Sequence, residues 1–270
     1  MADLRGKIGA LYSLEQLAGG QTALHRLHPL AKITVTAVYL VCVMSFGNAT
    51  VGRLAPYFFY PVLMISLADI PFGMIARRTA IALPFCLLAG LSNLLLDHRT
   101  AFVLGGLTVT VGAVSLLSIL LRTVLCVAAV LVLVAVTPFQ SMTAALRRLG
   151  VPRLAVMLLE MTYRYIGVLA EEALSMLTAY RLRANGKRWP ELKDFGAFLG
   201  QLLLRSADRA ERVYHAMQCR LYGAAQNPQN RRGTAQKFTM GDGLFLLVGA
   251  GSAVLFRLFD LPAWLGGLLL

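Results

Sequence analysis

The chain has 270 residues, of which 57% are hydrophobic and only 14% are charged, and its formal net charge is +13. Soluble domains carry roughly 25% charged residues, so this composition excludes an ordinary soluble domain and indicates an integral membrane protein. The positive charge is concentrated in residues 138–240, which hold 16 of the 26 lysines and arginines but 7 of the 13 acidic residues. We call residues 138–240 the basic segment.

Three apolar stretches occupy the first hundred residues after a mixed N-terminal arm, residues 1–29. Pro29 suits the first turn of a helix, where its missing N–H costs nothing. Lys32 follows within that helix and is long enough to extend its amine to the membrane interface. Arg77 and Arg78 read as a basic loop on the cytoplasmic side. We expect three transmembrane helices here, at about 30–46, 54–70 and 79–96.

The next apolar run, residues 102–136, is long for a single crossing. As one helix its 35 residues would extend roughly 52 Å, against a hydrocarbon core of about 30 Å. It is either one tilted or broken helix or two short spans. Lysine and arginine are enriched in cytoplasmic segments, so the basic segment should be cytoplasmic, which requires an odd number of crossings. We therefore expect one crossing here, with Arg122 toward its inner half.

The basic segment itself is typical of helices outside the membrane. A short helix begins near Phe139 and ends at Gly150, where glycine serves as the C-terminal stop. Beyond it, apolar residues recur at spacings of three and four. This pattern predicts two long amphipathic helices, roughly 153–183 and 191–222.

A final apolar stretch within residues 241–270 predicts the last transmembrane helix. The fold class is therefore an all-α integral membrane protein, with about five transmembrane helices and long amphipathic helices in the cytoplasm. Six crossings stay an alternative. In order along the chain, the predicted regions are 1–29, 30–137, 138–240 and 241–270.

Chemical motifs are scarce in this sequence. There is no GxxxxGK[ST] sequence, so we expect no ATPase activity of the chain's own. HExxH, GxSxG and paired-carboxylate patterns are also missing from the sequence, and we expect no catalytic residue, bound cofactor or metal. His25 and His28 lie three apart and could share a helix face as metal ligands, although two ordinary histidines near the interface are the favoured interpretation. No nucleic-acid-binding signature accompanies the positive charge, so we expect no nucleic-acid partner.

The two long helices of the basic segment end in related sequences. Arg183 precedes Gly186 by three residues, and Arg220 precedes Gly223 by three residues. Arginine near a helix C-terminus interacts favourably with the helix dipole, and glycine is a common C-cap. These preferences explain the pattern without any partner. The alternative is that each guanidinium binds acceptors on a partner protein, because its planar fork can hold two at once.

Several short sequences of this chain, taken together, resemble one family. They are Leu27-His28-Pro29-Leu30-Ala31-Lys32, Thr137-Pro138-Phe139, Leu149-Gly150-Val151-Pro152, Thr162-Tyr163-Arg164-Tyr165 with Glu171-Glu172, Leu182-Arg183-Ala184, and Gly200-Gln201-Leu202-Leu203-Leu204-Arg205. The combination resembles the T component, or energy-coupling transmembrane protein, of energy-coupling-factor (ECF) transporters, and most closely the cobalt-type CbiQ family.

This resemblance implies a non-catalytic scaffold of an ABC-type importer for cobalt or nickel. The implied partners are two ABC-type ATPase subunits, which use the ATP, and a CbiM-like substrate-binding membrane subunit. A small CbiN-like subunit is an optional further member. The implied location is the bacterial cytoplasmic (inner) membrane, with a multi-pass chain whose N-terminus and basic segment are cytoplasmic.

The resemblance also assigns site residues. In the family, two coupling helices each end in an Ala-Arg-Gly-like motif and dock into grooves of the two ATPase subunits. By matching position, the docking residues of this chain are Arg183, Ala184, Gly186, Cys219, Arg220 and Gly223. The chain departs from the family pattern at Cys219, where Ala or Leu is common, and at Leu221, where Gly is common. The backbone turn after Arg220 is therefore in question.

Two other functions stay open at this point. A membrane enzyme acting on lipids would use the basic helices to hold anionic head groups, but it needs a polar catalytic cluster that the sequence does not contain. A stand-alone permease would place ionisable groups inside its spans, and these are nearly missing. The sequence does not decide between cobalt, nickel and a vitamin as substrate, or between a homodimer and a heterodimer of ATPases.

Overall fold

The computed structural model describes residues 18–20, 22–47, 51–96, 100–104, 107–183, 190–221 and 238–258. Within these residues the chain is helical apart from one short hairpin, which confirms the all-α membrane fold class. Its contacts divide it into two compact units. The basic unit takes in Leu146–Ala235 together with Met1–Leu11, and the membrane unit takes in Tyr12–Ala145 and Gln236–Leu270.

Ten helices, one 3₁₀ turn and two strands make up the described part of the chain. In order they are α1 (Ala23–Arg26), α2 (Pro29–Met44), α3 (Val51–Leu54), a 3₁₀ turn (Ala55–Phe58), α4 (Phe59–Leu67), α5 (Phe72–Leu96), β1 (Thr100–Leu104), β2 (Leu107–Thr110), α6 (Val111–Val136), α7 (Phe139–Arg148), α8 (Arg153–Arg183), α9 (Leu192–Cys219) and α10 (Met240–Leu258).

Three helices in the described part are long and apolar enough to cross a membrane: Phe72–Ser92 of α5, Val111–Val136 and Met240–Leu258. Helix α2 is apolar but shorter, with 16 residues. The predicted span at 54–70 consists of α3, the 3₁₀ turn and α4, and prolines occupy positions 56 and 61. Since proline removes a helix donor, the break in regular geometry follows from the sequence. The count of five crossings stays a prediction.

The prediction of one helix over 102–136 is wrong in its first part. Strands β1 and β2 pair antiparallel, and α6 begins only at Val111, where the Thr110 hydroxyl accepts from the backbone N–H of Ala113. Valines and threonines favour strands, and the two residues between β1 and β2 are Gly105 and Gly106, a hairpin signal. The prediction of a basic loop at Arg77 and Arg78 is also wrong, because both lie inside α5.

The core of the membrane unit is built around aromatic side chains whose hydroxyl groups are satisfied. The hydroxyl of Tyr39 donates to the carbonyl of Tyr57 at 2.9 Å, and that of Tyr57 donates to the carbonyl of Ala253 at 2.8 Å. The hydroxyls of Thr36 and Tyr60 are hydrogen-bonded to each other at 2.9 Å. Because an unpaired polar group is costly in an apolar core, these bonds fix α2, the 3₁₀ turn and α10 side by side.

Two arginines close the C-terminal end of α2. Arg122 donates to the carbonyl of Gly47, and Arg257 donates to the carbonyl and hydroxyl of Ser45 at 3.4 and 3.3 Å. Arg122 therefore lies toward the end of the helices that is opposite Val136, whose carbonyl contacts the start of α2. Which half of the membrane Arg122 faces stays a prediction.

Lys32 does not reach the membrane interface as predicted. It is only 1% exposed, and its amine donates to the backbone carbonyls of His25 and Val136. An ammonium group held this deep must find acceptors, and here backbone carbonyls at the ends of α1 and α6 provide them.

Candidate partner-binding site

Helix α7 stops at a glycine cap, as the sequence predicts. Gly150 has φ +91°, the left-handed region that glycine adopts without strain. The N–H of Val151 donates to the carbonyl of Leu146 at 3.3 Å, and the N–H of Gly150 donates to that of Arg147 at 3.4 Å. This pair of bonds is the Schellman arrangement, and it turns the chain into α8, which spans Arg153–Arg183 as predicted.

Helices α8 and α9 are joined by a shared ion pair. Glu172 of α8 binds Arg205 through one carboxylate oxygen, and its other oxygen lies 3.7 Å from Arg209. Arg205 and Arg209 are four residues apart and so lie on one face of α9. This pair of arginines, four residues apart, is the sequence signal for a common acceptor on the neighbouring helix.

Replacing Glu172 with Gln is expected to loosen the contact between α8 and α9. The side chain of Glu172 is 24% exposed and those of the two arginines are more exposed. We therefore expect the interaction free energy between the two helices to fall by about 1 kcal/mol. Spin labels on α8 and α9 should show a broader distance distribution. Glu171→Gln is the matched control, because Glu171 is an exposed neighbour; equal effects from both variants would contradict the ion-pair role.

A second link holds α9 close to the end of α8. The hydroxyl of Tyr180 donates to Oδ2 of Asp194 at 2.8 Å and accepts from the backbone N–H of Glu191 at 3.4 Å. The hydrogen bond to the Asp194 carboxylate raises the pKa of Tyr180, because it favours the neutral phenol. The start of α9 is thus hydrogen-bonded to Tyr180, which lies three residues before the end of α8.

An apolar groove of about 530 Å³ runs between these two helices. Its lining is mostly hydrophobic and includes Leu158, Met161, Tyr165 and Ile166 of α8 together with Ala210, Val213 and Met217 of α9. Leu158 and Ile166 are more than half exposed. The apolar stripe that periodicity predicts on each helix therefore does not close into a packed core.

Arg183 and Arg220 both lie exposed at helix ends. Arg183 is the last residue of α8, and Arg220 is the C-cap of α9. Within the described residues, neither guanidinium has a hydrogen-bond or ion-pair partner. Each stands beside a strongly exposed leucine: Leu182 is 82% exposed and Leu221 is 67% exposed. Both helix tips thus present a cation next to an apolar side chain.

The remaining predicted site residues divide into two groups. Cys219 is exposed and lies beside Arg220 at the end of α9. Ala184, Gly186 and Gly223 lie outside the described residues. The question about the turn after Arg220 has an answer: Leu221 has φ +54°, and its N–H donates to the carbonyl of Gln218 at 2.9 Å. A leucine thus takes the left-handed cap position that glycine usually fills.

Leu221→Gly is expected to stabilise the end of α9 by about 1 kcal/mol, because a side chain in the left-handed region is strained. Amide hydrogen exchange of the last turn should slow by about fivefold. Gly150→Ala is the converse test at the end of α7 and should speed local exchange by a similar factor. Unchanged exchange in both variants would show that the residue type at the left-handed position does not affect the stability of either helix end.

The Nδ1 atoms of the two N-terminal histidines make local hydrogen bonds. Nδ1 of His28 accepts from the backbone N–H of Leu30 at 3.1 Å and so caps α2. Nδ1 of His25 lies 2.7 Å from the hydroxyl of Thr22. Among the described residues there is no group of three or more His, Cys, Asp or Glu side chains that could hold a metal ion.

Comparison with known proteins places the chain in a family. The family model for CbiQ, described as a cobalt transport protein, matches residues 20–230. The cobalt transport protein CbiQ of Rhodobacter capsulatus is 32% identical over 108 residues, which cover 39% of this chain and 43% of that protein. An uncharacterized protein of Methanocaldococcus jannaschii is 27% identical over 154 residues, covering 55% and 50%.

The nickel permease LarQ of Lactiplantibacillus plantarum is 33% identical over 84 residues, which cover 31% of each chain. The matched regions thus span half or less of the length of these relatives. The family model, in contrast, covers most of this chain, including α2 to α9. The chain belongs to the CbiQ family of cobalt transport proteins.

Proposed function

We propose that this chain is the energy-coupling scaffold of an ATP-driven ECF importer. It links two ABC-type ATPase subunits to a substrate-binding membrane subunit of the CbiM type, which a small CbiN-like subunit can accompany. The chain itself catalyses no reaction and binds no cofactor; the ATPase subunits use the ATP. The substrate is Co²⁺, and Ni²⁺ is the alternative that the named relatives suggest.

The observation that carries this proposal is the pair of exposed helix tips. Arg183 and Arg220 end the two longest helices of the basic unit, and each lies beside an exposed leucine. Arginine is one of the residues that most often contribute strongly to the binding energy of protein interfaces. Two similar tips suit two similar partners, and an ABC-type complex contains two ATPase subunits.

The membrane location follows from the family and the three long apolar helices. We place the chain in the bacterial cytoplasmic membrane, with the N-terminus and the basic segment in the cytoplasm. The net charge of +9 in residues 138–240 supports this orientation, since lysine and arginine are enriched in the cytoplasmic segments of membrane proteins.

The test is co-expression of the tagged chain with its candidate ATPase and membrane subunits. The expected result is co-purification with two ATPase copies, and Co²⁺ uptake by proteoliposomes that requires ATP and every subunit. Uptake by the chain alone, without ATPases, would contradict the scaffold and support a stand-alone permease.

A further inference from the structure

A buried charged cluster lies at the ends of three membrane-unit helices. Lys32 and Asp242 are 1% and 3% exposed, and His28 is equally buried. Oδ1 of Asp242 accepts from the backbone N–H of His28 at 2.7 Å, and Oδ2 accepts from that of Thr239 at 2.7 Å. The amine of Lys32 donates to the carbonyl of Val136 at 3.3 Å. We call His28, Lys32, Asp242 and the Val136 carbonyl the junction.

The junction joins both ends of the basic segment to one short stretch of chain. Val136, the last residue of α6, lies two residues before the start of the basic segment. Thr239, which directly precedes α10, lies at the other end of that segment. His28 and Lys32 are the cap and first turn of α2. The ring of His28 also packs against Phe238, with ring centres 5.7 Å apart. Displacement of either end of the basic segment must therefore move or break contacts to the start of α2.

Stability alone is a weak explanation for such a cluster. Replacing buried charged groups with apolar residues of similar size is often neutral or stabilising, whereas removing one partner alone is strongly destabilising. Two contacts of the junction are also directional links between elements, because Lys32 of α2 donates to the backbone carbonyl of Val136 and Asp242 of α10 accepts from the backbone N–H of His28. A directional link between helix ends is suited to holding two elements in one relative position.

We propose that the junction is a positioning element that transmits movement of the basic segment to α2 and the other membrane helices. This inference rests on the proposed scaffold function. Movement of the helix tips reaches the membrane only if the two ends of the basic segment are fixed to it. Lys32 fixes the first end through Val136, and Asp242 fixes the second through Thr239 and His28.

The test uses the complete importer in proteoliposomes and compares Co²⁺ uptake with ATP hydrolysis. The double variant Lys32→Met with Asp242→Asn removes both buried charges, so neither is left unpaired. We expect the complex to assemble and hydrolyse ATP, while uptake per ATP falls by about tenfold, within the usual range of coupling between sites. A purely structural role would instead lower the amount of complex and leave the ratio unchanged.

Arg257→Met is the matched control. It removes a cation from the same helix, α10, at its contact with Ser45 near the other end of α2, and should leave uptake per ATP unchanged. A wild-type ratio in the double variant would overturn the proposal. Should that variant fail to accumulate, Asp242→Asn alone leaves a single acceptor oxygen for the two backbone N–H groups of His28 and Thr239, and a wild-type ratio there overturns the proposal equally. Failure of the wild-type complex to form would contradict the scaffold function instead.

Discussion

Replacing Arg183 or Arg220 with Glu is expected to disrupt binding of the ATPase subunits and, with it, Co²⁺ uptake. Each change removes an exposed guanidinium at a helix tip and puts a negative charge in its place. Loss of an interface arginine costs about 2 kcal/mol or more, and repulsion between the new carboxylate and the acceptor groups that bound the guanidinium adds to this. The affinity should fall by about 30-fold or more, measured by co-purification and by uptake in proteoliposomes.

Arg212→Glu provides the matched control for this experiment. Arg212 is exposed on α9, about two turns before Arg220, and the substitution makes the same change in net charge. Binding that depends on net charge alone would weaken equally in all three variants. Arg183→Lys separates charge from shape, because lysine keeps the charge and loses the planar fork; we expect an intermediate affinity. Full assembly and uptake by both Glu variants would show that the tips are not the docking sites.

The same variants decide whether the tip arginines serve only their own helices. A cation at a helix C-terminus contributes about 0.3–1 kcal/mol through the dipole. If that were its whole role, the Glu variants would lose a little thermal stability and bind the ATPases normally. The docking role predicts the reverse pattern, in which the isolated chain is nearly unaffected and the complex fails to form. Measuring thermal unfolding and association on the same preparations separates the two.

The helices of the basic unit were predictable because their signals are local. The start of α8 follows from Pro152 before the helix, its course from apolar spacings of three and four between Leu154 and Val168, and its end from the sequence Asn185-Gly186 shortly after Arg183. The stop at Gly150 was predicted for the same reason, since a glycine cap depends on the residues next to it. Local signals also placed Arg220 at the end of α9, within the last predicted turn.

The errors arose where partners lie far apart along the chain. Lys32 and Val136 are separated by 104 residues, and His28 and Asp242 by 214. No spacing rule connects such pairs, so Lys32 was assigned to the interface by its length alone. The hairpin at Thr100–Thr110 is a different case, because its signal is local and competes with another. Gly105-Gly106 and the flanking strand-forming residues favour a hairpin, whereas the high hydropathy of the same stretch favours a membrane helix.

Gly249→Ala is expected to destabilise the membrane unit by about 1–3 kcal/mol, the usual cost of overpacking. A methyl group on Gly249 of α10 would lie 2.7 Å from Cγ1 and 3.2 Å from Cγ2 of Val35, which is fully buried in α2. Valine has little freedom to move aside, because its χ1 angle is nearly fixed in a helix. The thermal unfolding temperature of the purified chain and the amount of the chain in membranes should both decrease.

Gly251→Ala is the control on the same helix, because a methyl group there meets nothing within 4 Å. It should be neutral or slightly stabilising, since alanine is the better helix former. Val35→Ala combined with Gly249→Ala should restore stability by removing the opposing methyl groups. Small residues permit close helix approach where burial from water supplies no driving force. If Gly249→Ala behaved like Gly251→Ala, α2 and α10 would lie farther apart than described, and the Asp242–His28 contact between the same helices would also need revision.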